Sequence, residues 1–178
     1  MKNYPALNPP FTREGPALFT ANGIQYMLTS GMTGYVPNKS DSAAAFSWDA
    51  LFQSIGDPHV NDETNASFNS QISKVFQVRG ANGLWIAMAD RWLPHIPVDA
   101  RLADVFTRVI GSTYEPEKYT ATKEERREMY RANELENANT SHSHYVWLPI
   151  HITPPSETHS MGRISIIWYD SWKWEDFV

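Results

Sequence analysis

The sequence predicts an all-β protein interrupted by one helical segment, and three observations carry that prediction. Short period-2 or β-rich runs dominate its N-terminal half, Asn- and Gly-containing turns punctuate them, and a stretch with helical apolar spacing separates them from later β-rich runs. Pro16–Thr20 and Ile24–Thr29 flank Ala21-Asn22-Gly23, the residue types that a tight antiparallel hairpin requires. Ala43–Trp48 reads as a further strand. Ile72–Val78 and Leu84–Ala89 flank Gly80-Ala81-Asn82-Gly83, a second hairpin. Hairpins in series, not βαβ units, are therefore expected.

From residue 94 to 143 the character changes. Asp99 to Ile110 spaces Leu102, Val105, Phe106, Val109 and Ile110 at helical intervals, and Thr122 with Glu125 opens a charged stretch to Asn137 in the manner of a capping box. A helical insertion over residues 99–137 follows, with the Lys123–Arg131 charge run as its solvated face. β character returns in Tyr145–Ile152 and Arg163–Tyr169, before a Trp172-Lys173-Trp174-Glu175 end.

A chain of 178 residues suits one domain with a sizeable core. Its aromatic content, 13% with seven Trp, is high enough to suggest sugar stacking, although indoles filling a β core account for the same composition. The net charge of −5 offers no basic stripe for nucleic acid. No run approaches the roughly 18 apolar residues of a spanning helix, and Met1-Lys2-Asn3-Tyr4-Pro5 lacks the apolar core of a signal peptide. With no Cys, disulfides and thiolate chemistry are excluded, which leaves the compartment open. His142, His144 and His151 invite a zinc reading, but no acidic residue completes a ligand set at suggestive spacing. Asn38-Lys39-Ser40, Asn65-Ala66-Ser67 and Asn139-Thr140-Ser141 match the N-glycosylation triplet, which matters only in a secreted eukaryotic protein.

The chemically most pointed residue is Glu14, in Arg13-Glu14-Gly15-Pro16 at the mouth of the first hairpin. A Gly-Pro turn fixes its direction, and apolar neighbours can desolvate it, which is what a working general acid needs. A solvated loop carboxylate is the alternative. Four blocks follow one another in order: Arg13 to Phe19 with Asn22-Gly23 and Tyr26 to Asn38; Ser67-Phe68-Asn69-Ser70-Gln71; Met88-Ala89-Asp90-Arg91-Trp92; and Tyr145 to Ile150. Together they resemble glycoside hydrolase family 43, the five-bladed β-propeller glycosidases, and within it the exo-β-1,3-galactanase branch. Ile167-Trp168-Tyr169 through Trp172 also fits.

The resemblance implies an inverting glycosidase acting on β-1,3-galactan or a related polysaccharide. Glu14 would be its proton donor and Gln71 its water-activating base, in the place where most of the family has an Asp. An amide is a weak base, so hydrogen bonding to a sugar hydroxyl or a neighbouring strand stays an equal alternative for Gln71. Thr33 would contact sugar, or else close its own turn. Asp90, Arg91 and Trp92 would grip the substrate, or else form an ion pair beside a core indole. No cofactor is required, and the resemblance allows a calcium ion on the propeller axis.

A full five-bladed ring needs roughly 250–300 residues at about 50 per blade, so the resemblance covers about the C-terminal three blades. A fragment of a longer product is the favoured explanation over a natural truncation, with the N-terminal blades as its missing partner and little hydrolase activity alone. A non-catalytic carbohydrate-binding or assembly module on the same blades is the rival reading.

Overall fold

The computed structural model describes residues 12–80, 83–95, 97, 99–133 and 140–177. Two four-stranded antiparallel sheets form its framework, each with its strands in sequential order. The first holds β1 (Arg13–Ala21), β2 (Ile24–Gly31), β3 (Asp41–Ala45) and β4 (Gln53–Gly56). The second holds β5 (Gln71–Gln77), β6 (Trp85–Arg91), β7 (His144–Thr153) and β8 (Arg163–Ile166). Helices α1 (Ala100–Tyr114) and α2 (Lys123–Asn133) occupy the connection between β6 and β7.

Alternation decides what each strand buries. On β1, Ala17, Phe19 and Ala21 point inward while Leu18 and Thr20 face out. Ile24, Tyr26 and Leu28 of β2 join them against Ile72 and Val75 of β5, Ala87 and Ala89 of β6, Leu148 and Ile150 of β7, and Ile164 and Ile166 of β8. The core thus lies between the two sheets. Tyr26 is fully buried and its hydroxyl donates to the Met161 carbonyl at 2.9 Å, so the ring packs without stranding its polar tip. Burial raises the pKa of that phenol. Beside it Gly162 sits at φ +70°, where a Cβ would lie 2.4 Å from the Thr153 carbonyl oxygen.

Three boundaries differ from the sequence expectation. The third strand ends at Ala45, because Ser47 to Ala50 turns back, with the Ala50 N–H bonded to the Ser47 carbonyl at 3.2 Å. The last strand stops at Ile166, short of Tyr169. Strand β4 was not foreseen: four residues, Gln-Ser-Ile-Gly, none of them buried, carry no apolar pattern. Of the turn between β5 and β6, Ala81 and Asn82 lie outside the described residues, as do residues 134–137 of the charged stretch and Asn139 of the third glycosylation triplet.

The helices follow local rules. The Asp99 carboxylate accepts from the Arg101 N–H at 3.0 Å as the α1 N-cap. Before α2, the Thr122 N–H donates to Glu125 Oε2 at 2.8 Å and the Glu125 N–H to Thr122 Oγ1 at 3.1 Å, the reciprocal capping box expected from sequence. Arg108 to Glu125 at 2.6 Å, and a two-pronged Arg101 to Glu128 pair, join the two helices.

Candidate functional site

The site forms where the first strands of the two sheets, β1 and β5, begin. On β1, Glu14 stands opposite Ser30 and Ala17 opposite Leu28, so one extra residue bulges from the strand. Gly15 makes the bulge by adopting φ +59°, and a Cβ there would press within 3.4 Å of Gln71 Nε2 and the Ile72 carbonyl. The Gly-Pro pair thus brings the backbone of β1 against β5 and directs half-buried Glu14 at Gln71.

Gln71 is the hub. Its Nε2 donates to Glu14 Oε1 at 3.0 Å and to Ser30 Oγ at 2.7 Å, and its Oε1 accepts from Trp92 Nε1 at 3.2 Å. An indole nitrogen can only donate, so the amide has one orientation and its NH2 must face the carboxylate. Trp92 is set in turn by Tyr35, edge-on with ring centroids 5.8 Å apart. Ser30, Tyr35, Asn38, Gln71, Asp90 and Trp92 line a narrow cleft with about 20 Å³ of free space. Glu14 meets that cleft through its bond to Gln71.

The segment leading into β5 explains how Gln71 is held. Ser67, Phe68 and Asn69 all adopt left-handed φ of 54–56°. Each is disfavoured by roughly 1–2 kcal/mol for a residue with a Cβ. Hydrogen bonds offset that strain. The Asp62 carboxylate accepts from Thr64 Oγ1 at 2.6 Å and from the Thr64, Ala66 and Phe68 N–H groups at 2.8–3.2 Å. Ser67 Oγ donates to the Asn38 carbonyl at 2.8 Å and accepts from the Ser40 N–H at 2.9 Å, tying the loop to the first sheet. Burial pushes the Asp62 pKa up, but the Thr64 hydroxyl and the three amides outweigh it and hold the carboxyl below its ordinary value.

Thr33 is buried. Its hydroxyl donates to the Val36 carbonyl at 2.6 Å and accepts from Asn38 Nδ2 at 2.5 Å, so it supports the Asn38 side of the cleft from behind. The Asp90-Arg91-Trp92 trio divides. Asp90 lies directly across from Gln71 in the β5–β6 pairing and lines the cleft with Trp92. Arg91 lines a neighbouring hollow, because successive side chains on a strand alternate. Its Nε donates to the Asn69 carbonyl at 3.3 Å and its guanidinium lies 5.1 Å from the centre of the Trp168 ring. Among the described residues Asp90 and Arg91 form no ion pair with each other.

Glu14 and Gln71 touch, whereas an inverting acid and base stand about 6.5–9.5 Å apart with water between them. Ser30 and Ser67 lay within matched blocks but were given no role of their own, and Asp62 went unnoticed. Only the Asp62-Glu63-Thr64 turn pattern could have pointed to one of them. Among the described residues no cluster of three or more His, Asp or Glu could hold a metal. His142 packs edge-on with His95, and His151 packs against Phe177.

No family model matches the chain, and no curated protein does. Solved structures do. The chain is similar to a GH43 β-1,3-galactosidase with galactodeoxynojirimycin, at TM-score 0.55 and 24% identity over 90% of this chain and 32% of that one. It is similar to an exo-β-1,3-galactanase from Clostridium thermocellum, at TM-score 0.53 and 22% identity over 89% and 24%. An exo-β-1,3-galactanase from Phanerochaete chrysosporium with β-1,3-galactotriose gives 0.54 and 16% over 94% and 27%. The chain therefore spans about a quarter to a third of the length of these proteins. At such identities the likeness is one of fold, and the fold is like that of glycoside hydrolase family 43 enzymes.

Proposed function

We propose that this chain is the part of a family 43 β-propeller glycosidase that carries the proton donor, and that the whole protein releases terminal galactose from β-1,3-galactan with inversion. The observation that carries the reading is the Glu14–Gln71–Ser30–Trp92 network at the adjoining mouths of β1 and β5. A carboxyl group whose orientation is fixed by an amide, next to an indole plane and a second carboxylate at Asp90, suits protonation of a glycosidic oxygen above a stacked sugar. Gln71 orients Glu14 in this scheme and also presents its amide to sugar hydroxyls. In this reading the two sheets are two blades, one fewer than the three expected from sequence, α1 and α2 are an insertion in the second, and the remaining blades supply the base.

The likeness to galactanase structures supports galactose as the sugar, since one of those proteins was solved with β-1,3-galactotriose. A binding-only module is favoured by one observation: Glu14 meets the cleft only through Gln71. Titration of the chain with β-1,3-galactobiose, followed by indole fluorescence, tests the shared premise. Saturable binding is expected, weakened about tenfold by Trp92→Ala. Absence of binding at millimolar sugar refutes both readings. In the longer protein, Glu14→Gln is expected to abolish galactose release and leave affinity within twofold. Unchanged turnover would establish the binding module instead.

A further inference from the structure

Arg91 is a cation that the cleft does not use. Among the described residues only Nε of its five N–H donors has a partner, the Asn69 carbonyl, and no carboxylate lies within ion-pair distance of the guanidinium. One face of the group is covered by the Trp168 indole, 5.1 Å away, which holds the fork in one plane. The side chain is half-buried, and burial lowers its pKa, so the charge is partly desolvated.

An open hollow of about 430 Å³ lies before it, lined also by Thr64, Phe68, Asn69, His95 and Trp168. Asn69 borders the Gln71 cleft as well, so the hollow and the cleft adjoin. Asp62 is the one carboxylate lining the hollow, and its oxygens are taken up by the Thr64 hydroxyl and three backbone amides. A planar fork with two free terminal nitrogens matches a carboxylate by paired hydrogen bonds.

We propose that the Arg91 hollow receives an acidic sugar, a uronate carried on the polysaccharide, while the adjoining cleft holds a neutral one. The inference rests on the carbohydrate reading given above and adds a substrate class to it. A plain galactan uses the cleft alone. A uronate-bearing one uses both.

The test is calorimetric titration of the 178-residue chain at low salt with β-1,3-galactobiose, the same disaccharide bearing a glucuronosyl group, free glucuronate and inorganic phosphate. The acidic trisaccharide is expected to bind about tenfold more tightly than the neutral disaccharide, a margin that shrinks with added salt. Arg91→Gln should erase the margin while neutral binding is unchanged, and the milder Arg91→Lys should reduce it by removing the fork and keeping the charge. A margin that survives in both variants, or phosphate displacing the acidic sugar as well as glucuronate does, overturns the proposal. Glucuronate binding that depends on Arg91, with no binding of galactobiose, would leave the acidic site standing and refute the galactan reading alone.

Discussion

At the scale of single residues, the site depends on glycines and hydrogen-bonded hydroxyls as much as on its carboxylate. Gly15 at φ +59° lets β1 bulge and brings its backbone against Gln71. Gly15→Ala is expected to destabilise the fold by about 1–2 kcal/mol and to weaken galactobiose binding by displacing Glu14 and Gln71 together. Urea unfolding and sugar titration of the same variant check both effects. Gly162→Ala is the more severe case, because the new Cβ meets backbone oxygen at 2.4 Å and the Tyr26 hydroxyl at 2.8 Å. A drop in melting temperature larger than that of Gly15→Ala is the expected outcome. Glu14 was legible from its Arg-Glu-Gly-Pro context, but the Ser30 and Trp92 bonds that fix its neighbour Gln71 were not foreseen, since those residues lie 41 and 21 positions from Gln71 in sequence.

At the scale of elements, legibility followed locality. The hairpin of β1 and β2 and both helices were readable because turn residues and caps sit beside the segments they shape. Thr122→Ala is expected to remove the capping box and cost about 1 kcal/mol, read as lost helicity and lower stability in denaturant. The helix-joining pairs are exposed and screened by solvent, so Arg101→Ala should leave the urea midpoint nearly unchanged. Strand β4 escaped notice because its pairing with β3 comes from backbone bonds, to which its polar side chains give no clue. The left-handed run from Ser67 to Asn69 was equally hidden, as the residues that stabilise it, Asp62 and Ser40, act across a turn and between sheets.

At the scale of the whole molecule, acid sensitivity and activity are both collective. Since the folded-state pKa of Asp62 lies below its ordinary 3.8, its stabilising contribution is complete above that value and is lost as pH falls through the lower folded value. Glu125, through the Thr122 amide and Arg108, and Glu128, through Arg101, act in the same direction. Unfolding free energy measured from pH 6 down to pH 2 should therefore decline below about pH 4, and Asp62→Asn should flatten part of that decline. A slope unchanged in the variant would show that Asp62 contributes nothing to it. For activity, the purified chain is expected to release little galactose from β-1,3-galactan, because in the proposed scheme the base that activates water comes from blades this chain does not include.

The sequence by itself determined the β-rich class, most strand cores, the two helices with their caps, and Glu14 as the residue to examine. These are written in periodicity and in turn chemistry, which act over a few residues. Only the tertiary structure decided that Gln71 grips Glu14, that Thr33 is a buried support, and that Asp90 and Arg91 serve different cavities. Such facts depend on register between strands and on the approach of two sheets, where a shift of one residue reverses every side chain.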